Sequence, residues 1–192
     1  MSLLILYAHP ASHRSRLNRR LLAEALSVPG VLVHDLYEEY PDFHIEVRRE
    51  QELLVAHDTV VFQHPFYWYS VPALLKQWMD LVLKHGWAYG KGGTALQGKR
   101  WLTAVTTGGP EAAYQEEGAN RFTMRQLLAP LEQTARLCGM EFLEPFITHA
   151  AHRISDADLE AQAHAYRKLL ASLLAERSPR AEASMGDGDE QR

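Results

Sequence analysis

The sequence predicts an α/β domain built on a doubly wound parallel sheet. Short apolar runs alternate along the chain with amphipathic segments, as they do in βαβ units. The first run, Leu3–Tyr7, is apolar throughout, which is typical of a strand buried on both faces. The 192 residues are enough for one sizeable domain of this class.

Five apolar runs are expected to form the strands. Each has the length and aliphatic character of a buried strand and is followed by polar or turn-forming residues. In chain order they are Leu3–Tyr7, 31–33, 59–63, 101–106 and 141–148, the last of which is interrupted by Pro145.

The segment after the first strand has helical periodicity. An apolar stripe predicts a helix that Pro29 and Gly30 end. Residues 41–48 are expected to be irregular and residues 48–57 to form a short helix. The stripe of the first helix comprises Leu17, Leu21, Leu22, Ala25 and Leu26.

A second clear stripe predicts a helix over residues 73–84. Residues 85–100 are rich in glycine and have no apolar period, so we expect a long surface loop. Residues 120–137 are expected to be mostly helical with a break near Pro130. In the helix at 73–84, the residues expected to pack inward are Leu74, Leu75, Trp78, Met79, Leu81 and Val82, while Lys76, Gln77, Asp80 and Lys84 face outward.

The last helix is expected to begin after Ser155, because Asp158 follows three residues later as in a capping box. Five strands and about five helices fit a flavodoxin-like, five-stranded parallel sheet with helices on both faces. We expect this domain to span residues 1–176 and residues 177–192 to be a disordered tail. The inward residues of the last helix are expected to be Leu159, Ala163, Tyr166, Leu170 and Leu173.

Composition excludes several classes of protein. The formal net charge of −4 does not suit a nucleic-acid-binding face. The one cysteine, Cys138, cannot form an internal disulfide. No apolar stretch approaches the roughly 20 residues that span a bilayer. The histidines show no metal-binding spacing, and residues 93–99 lack the Ser or Thr that a nucleotide-binding P-loop needs next.

The loops after the first, third and fourth strands are expected to meet, because these strands are neighbours at the switch point of a flavodoxin-like sheet. The first loop leads into a helix N-terminus, where backbone N–H groups favour an anion. The alternative is a capped helix with exposed basic residues. Side chains that add donors in this loop are His9, Ser12, Ser15 and either Arg14 or Arg16.

The other two loops offer a flat surface and a polar edge. Pro65 and Pro72 stiffen a loop of consecutive aromatic residues, which suits a planar, electron-accepting ring. Gly108 and Gly109 allow close approach of the backbone, and the preceding threonines suit a pyrimidine carbonyl. The alternatives are an aromatic core plug and an ordinary Gly-Gly turn.

Together these loops resemble the flavodoxin-like NAD(P)H:quinone oxidoreductases, most closely the bacterial ancillary subunits of glutathione-gated potassium-efflux systems. The resemblance covers roughly residues 3 to 175. The motifs that carry it are Tyr7-Ala8-His9-Pro10, Ser15-Arg16-Leu17-Asn18, Tyr40-Pro41-Asp42-Phe43, Gln63-His64-Pro65-Phe66-Tyr67-Trp68-Tyr69, Val71-Pro72-Ala73-Leu74-Leu75-Lys76, His85-Gly86-Trp87-Ala88-Tyr89-Gly90 and Thr106-Thr107-Gly108-Gly109.

The resemblance implies a flavin site and its residues. The flavin phosphate would be held by His9, Ser15, Arg16, Leu17 and Asn18. The isoalloxazine ring would lie along Phe66, Tyr67, Trp68 and Tyr69, and its pyrimidine end would contact Thr106, Thr107, Gly108 and Gly109. The family places a Tyr and a His after the two glycines, which correspond to Tyr114 and to Asn120 here, so the imidazole is missing from its expected position.

The resemblance also implies an activity. NAD(P)H would reduce the flavin, and a quinone would then take the same position and receive two electrons. Ancillary relatives suggest FMN, and longer quinone reductases suggest FAD. The alternative is a regulatory flavin-binding subunit of a potassium/proton antiporter with little or no turnover. A one-electron flavodoxin fits less well, because flavodoxins are typically more acidic.

Partners and location follow from the same resemblance. We expect a homodimer formed by the helix at 73–84 and the loop at 85–100, with Trp78, Trp87 and Tyr89 as anchors. We expect a cytoplasmic protein, held at the inner face of the membrane by the cytoplasmic domain of a potassium-efflux protein.

Overall fold

A parallel sheet runs through the centre of the protein. The computed structural model describes residues 2–176. The strands are β1 (Leu3–Tyr7), β2 (Val31–Asp35), β3 (Thr59–Pro65), β4 (Arg100–Thr106), β5 (Glu141–Phe142) and β6 (Phe146–Thr148). Their order is β2-β1-β3-β4-β5, and β6 also pairs with β4, so two short strands share the fifth position. The predicted flavodoxin-like sheet is confirmed, as is the interruption around Pro145.

Helices cover both faces of this sheet. They are α1 (Arg16–Leu26), α2 (Leu36–Glu39), α3 (Val47–Ala56), α4 (Ala73–Val82), α5 (Met124–Leu127), α6 (Ala129–Leu137) and α7 (Asp156–Ala175). Leu3 and Ile5 of β1 pack with α1 and α7, whereas Leu4 and Leu6 pack with α3, α4 and α6. This alternation explains why the strands are apolar throughout.

Two leucines predicted to point inward are exposed. Leu26 is 65% exposed at the end of α1, and Leu81 is 38% exposed near the end of α4. At 100° per residue, each lies a quarter turn or more from the middle of the buried stripe of its helix. The stripes are therefore narrower than the sequence pattern suggested.

The segment at 85–100 is not simply a surface loop. Ala88 and Leu96 are fully buried within it. The Lys99 ammonium donates hydrogen bonds to the carbonyls of Val55 and His57, at 2.9 and 2.6 Å, at the end of α3. The segment is thus anchored to the core at several points, although it lacks an apolar period.

The helical prediction for residues 120–137 was only partly right. The first turn of helix begins after Thr123, whose side chain and Gln126 form a capping box. The break falls at Leu128, two residues before Pro130, which occupies the first turn of α6. Helix α2 was not predicted; the Asp35 carboxylate caps it by accepting from two N–H groups.

A buried carboxylate joins β2, α3 and α4. Glu50 is fully buried and accepts hydrogen bonds from the Tyr40 hydroxyl at 2.6 Å and the Trp78 indole at 2.7 Å, and it lies 2.8 Å from His34 Nε2. Because the side chain of Trp78 is fully buried and bonded here, the expectation that it anchors a dimer interface was wrong. Within residues 2–176, no helix is both long and apolar enough to cross a bilayer. The expected tail at 177–192 lies outside the described residues.

Candidate functional site

Three loops that follow β1, β3 and β4 enclose a cavity of about 630 Å³. Two hydrogen bonds continue the parallel ladder past the strands, from Ala8 N–H to Gln63 O at 2.9 Å and from Phe66 N–H to Thr106 O at 2.8 Å. The loops therefore leave the sheet at the same edge, as the sequence predicted. The cavity is lined by His9, Ala11, Arg14, Ser15, Arg16, Asn18, Pro65, Phe66, Tyr67, Thr106, Thr107, Gly108, Ala151 and His152.

The first turn of α1 forms one wall of this cavity. Ser15 caps the helix, and its hydroxyl accepts from the backbone N–H of Asn18 at 3.2 Å. The Asn18 amide group donates to Ser15 Oγ at 3.1 Å and to Thr106 Oγ1 at 2.9 Å. Asn18 Oδ1 is buried and has no hydrogen-bond partner within residues 2–176. A buried acceptor of this kind needs a donor, which a ligand in the cavity can supply.

His9 presents a neutral imidazole to the cavity. The N–H of Ala11 donates to His9 Nδ1 at 3.1 Å, so Nδ1 holds the lone pair and Nε2 carries the proton. Burial lowers the pKa of His9, which keeps the ring uncharged at neutral pH. The residue is therefore a hydrogen-bond donor rather than a fixed positive charge.

The residues predicted to bind the phosphate differ in the groups that they present to the cavity. Arg16 lines the cavity, but its guanidinium also pairs with Asp156 at 2.6 Å. Arg14 lines the cavity and forms no salt bridge within residues 2–176. The side chain of Leu17 packs in the core against β1 and α7, so this residue offers only its backbone to the cavity.

The aromatic loop is a tight turn with unusual backbone angles. Tyr67 and Ser70 exchange two backbone hydrogen bonds, at 3.1 and 3.0 Å. Between them, Trp68 and Tyr69 have φ of 49° and 59°, the left-handed region required at both central positions of a type I′ turn. Asn and Gly normally occupy these positions, so two aromatic residues here store strain.

This turn separates the four predicted ring contacts. Phe66 and Tyr67 line the cavity, whereas the Trp68 side chain is 93% exposed and Tyr69 is 53% exposed. The turn thus presents two aromatic side chains to the cavity and two to the surroundings.

The loop after β4 approaches the cavity with its backbone. Thr107 is fully buried and its hydroxyl donates to the carbonyl of Gly109 at 2.8 Å. Within residues 2–176, the N–H groups of Gly108 and Gly109 donate no hydrogen bond. A Cβ on Gly109 would lie 3.2 Å from Tyr114 Cε2, so the close packing of Tyr114 favours glycine here.

The two residues predicted to follow the glycines have different surroundings. Tyr114 is buried and packs on Phe66, with ring centroids 6.2 Å apart. Asn120 Oδ1 instead accepts a hydrogen bond from the Tyr69 hydroxyl at 3.2 Å. Neither side chain is among those that line the cavity.

The loop after β6 was missed by sequence reasoning. Ala151 and His152 line the cavity, and His149 Nδ1 lies 3.1 Å from the hydroxyl of Thr107. A signal was available, because this loop follows the strand next to β4 and so ends at the same edge of the sheet. Because Pro145 interrupts the fifth predicted strand, the sequence pattern gives only a weak indication of where this strand ends and the loop begins.

Sequence comparison assigns the fold family. A family model described as flavodoxin-like fold matches residues 1–170. The chain belongs to the flavodoxin-like family. It is 51% identical over 174 residues to the glutathione-regulated potassium-efflux system ancillary protein KefG of Pectobacterium carotovorum, covering 91% of this chain and 95% of the relative.

Solved structures agree with this assignment. General stress protein 14 of Treponema denticola, solved in complex with FMN, aligns with a TM-score of 0.83 and 38% identity over 91% of this chain and 99% of its own. An NADPH-quinone reductase of P. pentosaceus aligns with a TM-score of 0.81 and 33% identity, over 88% of this chain and 97% of its own. A protein from Streptomycin violaceusniger, named a thermophilic tryptophan halogenase, aligns with a TM-score of 0.84 and 44% identity, over 86% of this chain and 96% of its own.

Proposed function

We propose that this chain binds FMN in the cavity and uses it to reduce quinones by two electrons at the expense of NAD(P)H. The observation that carries the proposal is the convergence of three different surfaces on one cavity: a helix N-terminus, an aromatic wall and free N–H groups beside Gly108. FMN in a structure 38% identical and the quinone reductase name of another at 33% support it.

The residues of the cavity fit the chemistry of FMN. The N-terminus of α1, Ser15 and the guanidinium of Arg14 suit a phosphate. The unpartnered Asn18 Oδ1 suits a hydroxyl donor, such as those of a ribityl chain. Phe66 and Tyr67 offer a flat apolar wall to a fused ring system.

The redox chemistry belongs to the flavin, which accepts a hydride from a nicotinamide and gives two electrons to a quinone when it is bound. The chain supplies orientation and electrostatics. N–H groups of Gly108 and Gly109 would hold the pyrimidine edge and stabilise negative charge there, as donors in oxyanion holes do. Tyr114 would support the same edge from behind Gly109. The FMN complex of the structure that is 38% identical favours FMN over FAD as the occupant.

A steady-state assay tests this proposal. Purified protein supplied with FMN should oxidise NAD(P)H when a quinone is added, and the extracted flavin should elute as FMN rather than FAD. Full occupancy by FMN without turnover would instead favour a regulatory flavin-binding role. Halogenation of tryptophan, the activity in the name of the Streptomycin violaceusniger neighbour, should be undetectable in parallel reactions.

We also propose that the chain is a homodimeric ancillary subunit of a potassium-efflux system. KefG proteins about half identical over nearly the whole chain support this role. The exposed Trp68 and the partly buried Trp87 and Tyr89 are aromatic side chains suited to contacts with another chain. Co-purification with the cytoplasmic domain of the efflux protein tests the partner, and sedimentation tests the dimer. If the chain neither co-purifies with the efflux protein nor sediments as a dimer, this proposal is wrong, whereas the proposed FMN-dependent activity is unaffected.

A further inference from the structure

His149 connects two parts of the candidate site. It lies directly after β6, and its Nδ1 is 3.1 Å from the hydroxyl of Thr107. Its ring also packs on Tyr114, with centroids 5.4 Å apart and planes inclined by 34°. One imidazole therefore contacts both the residue before the two glycines and the tyrosine that packs against Gly109.

The direction of the hydrogen bond follows from the number of protons. The Thr107 hydroxyl has one hydrogen, which it donates to the carbonyl of Gly109 at 2.8 Å. It must then accept from His149, so the imidazole carries a proton on Nδ1. Burial lowers the pKa of His149 and the negative charge of Glu111 opposes this in part, so a neutral ring is expected near pH 7.

Backbone hydrogen bonds tie the same two loops together. Ala150 N–H donates to Gly109 O at 2.9 Å, and Ala151 N–H donates to Thr107 O at 2.8 Å. Ala150 has φ of 54°, a left-handed angle that a residue with a Cβ adopts at a cost. The carbonyl of Gly109 thus receives both a backbone and a side-chain donor, which fixes the turn that carries the free N–H groups.

We propose that His149 is a positioning residue for the flavin site. Through the Thr107 hydroxyl it holds the Gly108–Gly109 turn in the conformation that leaves its N–H groups available to the cavity, and its ring supports Tyr114. This rests on the proposed function, because it assumes that these groups meet the polar edge of the flavin.

Two substitutions separate positioning from bulk. His149→Ala removes the donor, whereas His149→Asn keeps an N–H close to the place of Nδ1–H. His164→Ala, on the exposed side of α7, is the matched control. We expect His149→Ala to weaken FMN binding to apoprotein about tenfold, as loss of one aligning hydrogen bond does. It should also lower the reduction potential of the bound flavin, and His149→Asn should restore both quantities.

Nuclear magnetic resonance of the apoprotein tests the geometry without flavin. The ring ¹⁵N shifts of His149 should show a protonated Nδ1, and the amide signals of Gly108 and Gly109 should move in His149→Ala and return in His149→Asn. A proton on Nε2, or equal FMN affinity and potential in all variants, would overturn the proposal. Wild-type protein that binds no FMN would instead defeat the proposed function, and the apoprotein spectra would still judge the role of His149.

Discussion

Asn18 and Thr106 are 88 residues apart in the sequence, yet their side chains share a hydrogen bond of 2.9 Å in the wall of the cavity. This bond joins the first turn of α1 to the end of β4. A second link runs from the Tyr166 hydroxyl to Gln63 Oε1 at 3.0 Å, and from Gln63 Nε2 to the carbonyl of Asn18 at 3.3 Å. The helix N-terminus proposed to bind phosphate is thereby fixed to the sheet at two points.

Replacing Asn18 by Ala should weaken FMN binding by more than tenfold. The change removes the unpartnered acceptor proposed to meet the ligand and leaves the Thr106 hydroxyl without its Asn18 donor, at a cost to folding of about 1–3 kcal/mol. Fluorescence titration and urea unfolding measure the two effects. Gln115→Ala, at an exposed amide, should change neither. Wild-type affinity in Asn18→Ala would show that the ligand does not use this side chain.

Replacing Tyr114 by Phe should lower turnover without loss of flavin. The phenol packs over Gly109 and on Phe66, and these apolar contacts survive the change. Only the hydroxyl, which would support the flavin edge from behind Gly109, is lost. Stopped-flow reduction by NAD(P)H, with the FMN content measured in parallel, tests this. Tyr89→Phe is the control, because the Tyr89 ring packs on His85 and does not line the cavity. Equal rates in Tyr114→Phe and wild type would rule out a role for the hydroxyl.

The strained aromatic turn should be relieved by glycine at position 68. A residue with a Cβ costs about 1–2 kcal/mol in the left-handed region, and the entropy of a glycine offsets roughly 0.5–1 of this. The free energy of unfolding of Trp68→Gly should therefore exceed that of Trp68→Ala by about 0.5–1 kcal/mol. Both variants lack the exposed indole, so their difference in urea unfolding reports the backbone. Equal stabilities would mean that the turn is not strained in solution.

Glu50 should make the protein sensitive to acid. Burial alone raises the pKa of this carboxyl, but the hydrogen bonds with His34, Tyr40 and Trp78 outweigh burial and hold it below its ordinary value of 4.5. A carboxyl whose pKa is lower in the folded protein than in the unfolded chain stabilises the fold at pH values above its unfolded pKa. This stabilisation is lost as the pH falls through the pKa of the folded protein. The free energy of unfolding should thus fall as the pH drops below about 4.5.

The matched pair Glu50→Gln and Glu52→Gln isolates this effect. Glu50→Gln places an amide N–H group opposite donors that the carboxylate accepts from, so it should lower the free energy of unfolding by about 1–3 kcal/mol at pH 7. The free energy of unfolding of this variant should also depend less on pH in acid. Glu52 is on the same helix with its side chain largely exposed, so its variant should keep the wild-type profile. A profile in Glu50→Gln as steep as in wild type would assign the acid sensitivity to other groups.

The sequence was sufficient to predict the sheet and the meeting of three loops. Apolar runs mark strands that are buried on both faces, and the strand order then follows from the general rules of doubly wound folds. His9 and Gly108 could be placed at one edge of the sheet for this reason, although they are 99 residues apart in numbering.

What the sequence did not predict depends on packing. His149 gains its place from pairing of a three-residue strand, β6, which has no strong periodicity of its own. Leu26 and Leu81 are exposed because each lies away from the middle of the buried stripe of its helix, and the width of the stripe that is buried depends on packing. The type I′ turn at Trp68 and Tyr69 breaks the usual residue preference, and such exceptions gather at functional sites.

The visible spectrum of the purified protein, recorded before and after anaerobic NAD(P)H, shows whether the cavity holds a redox-active flavin. We expect a yellow protein, or one that becomes yellow on addition of FMN, whose flavin absorbance is bleached by NAD(P)H and returns when a quinone is added. A colourless protein that takes up no FMN would exclude flavin binding and the proposed activity with it.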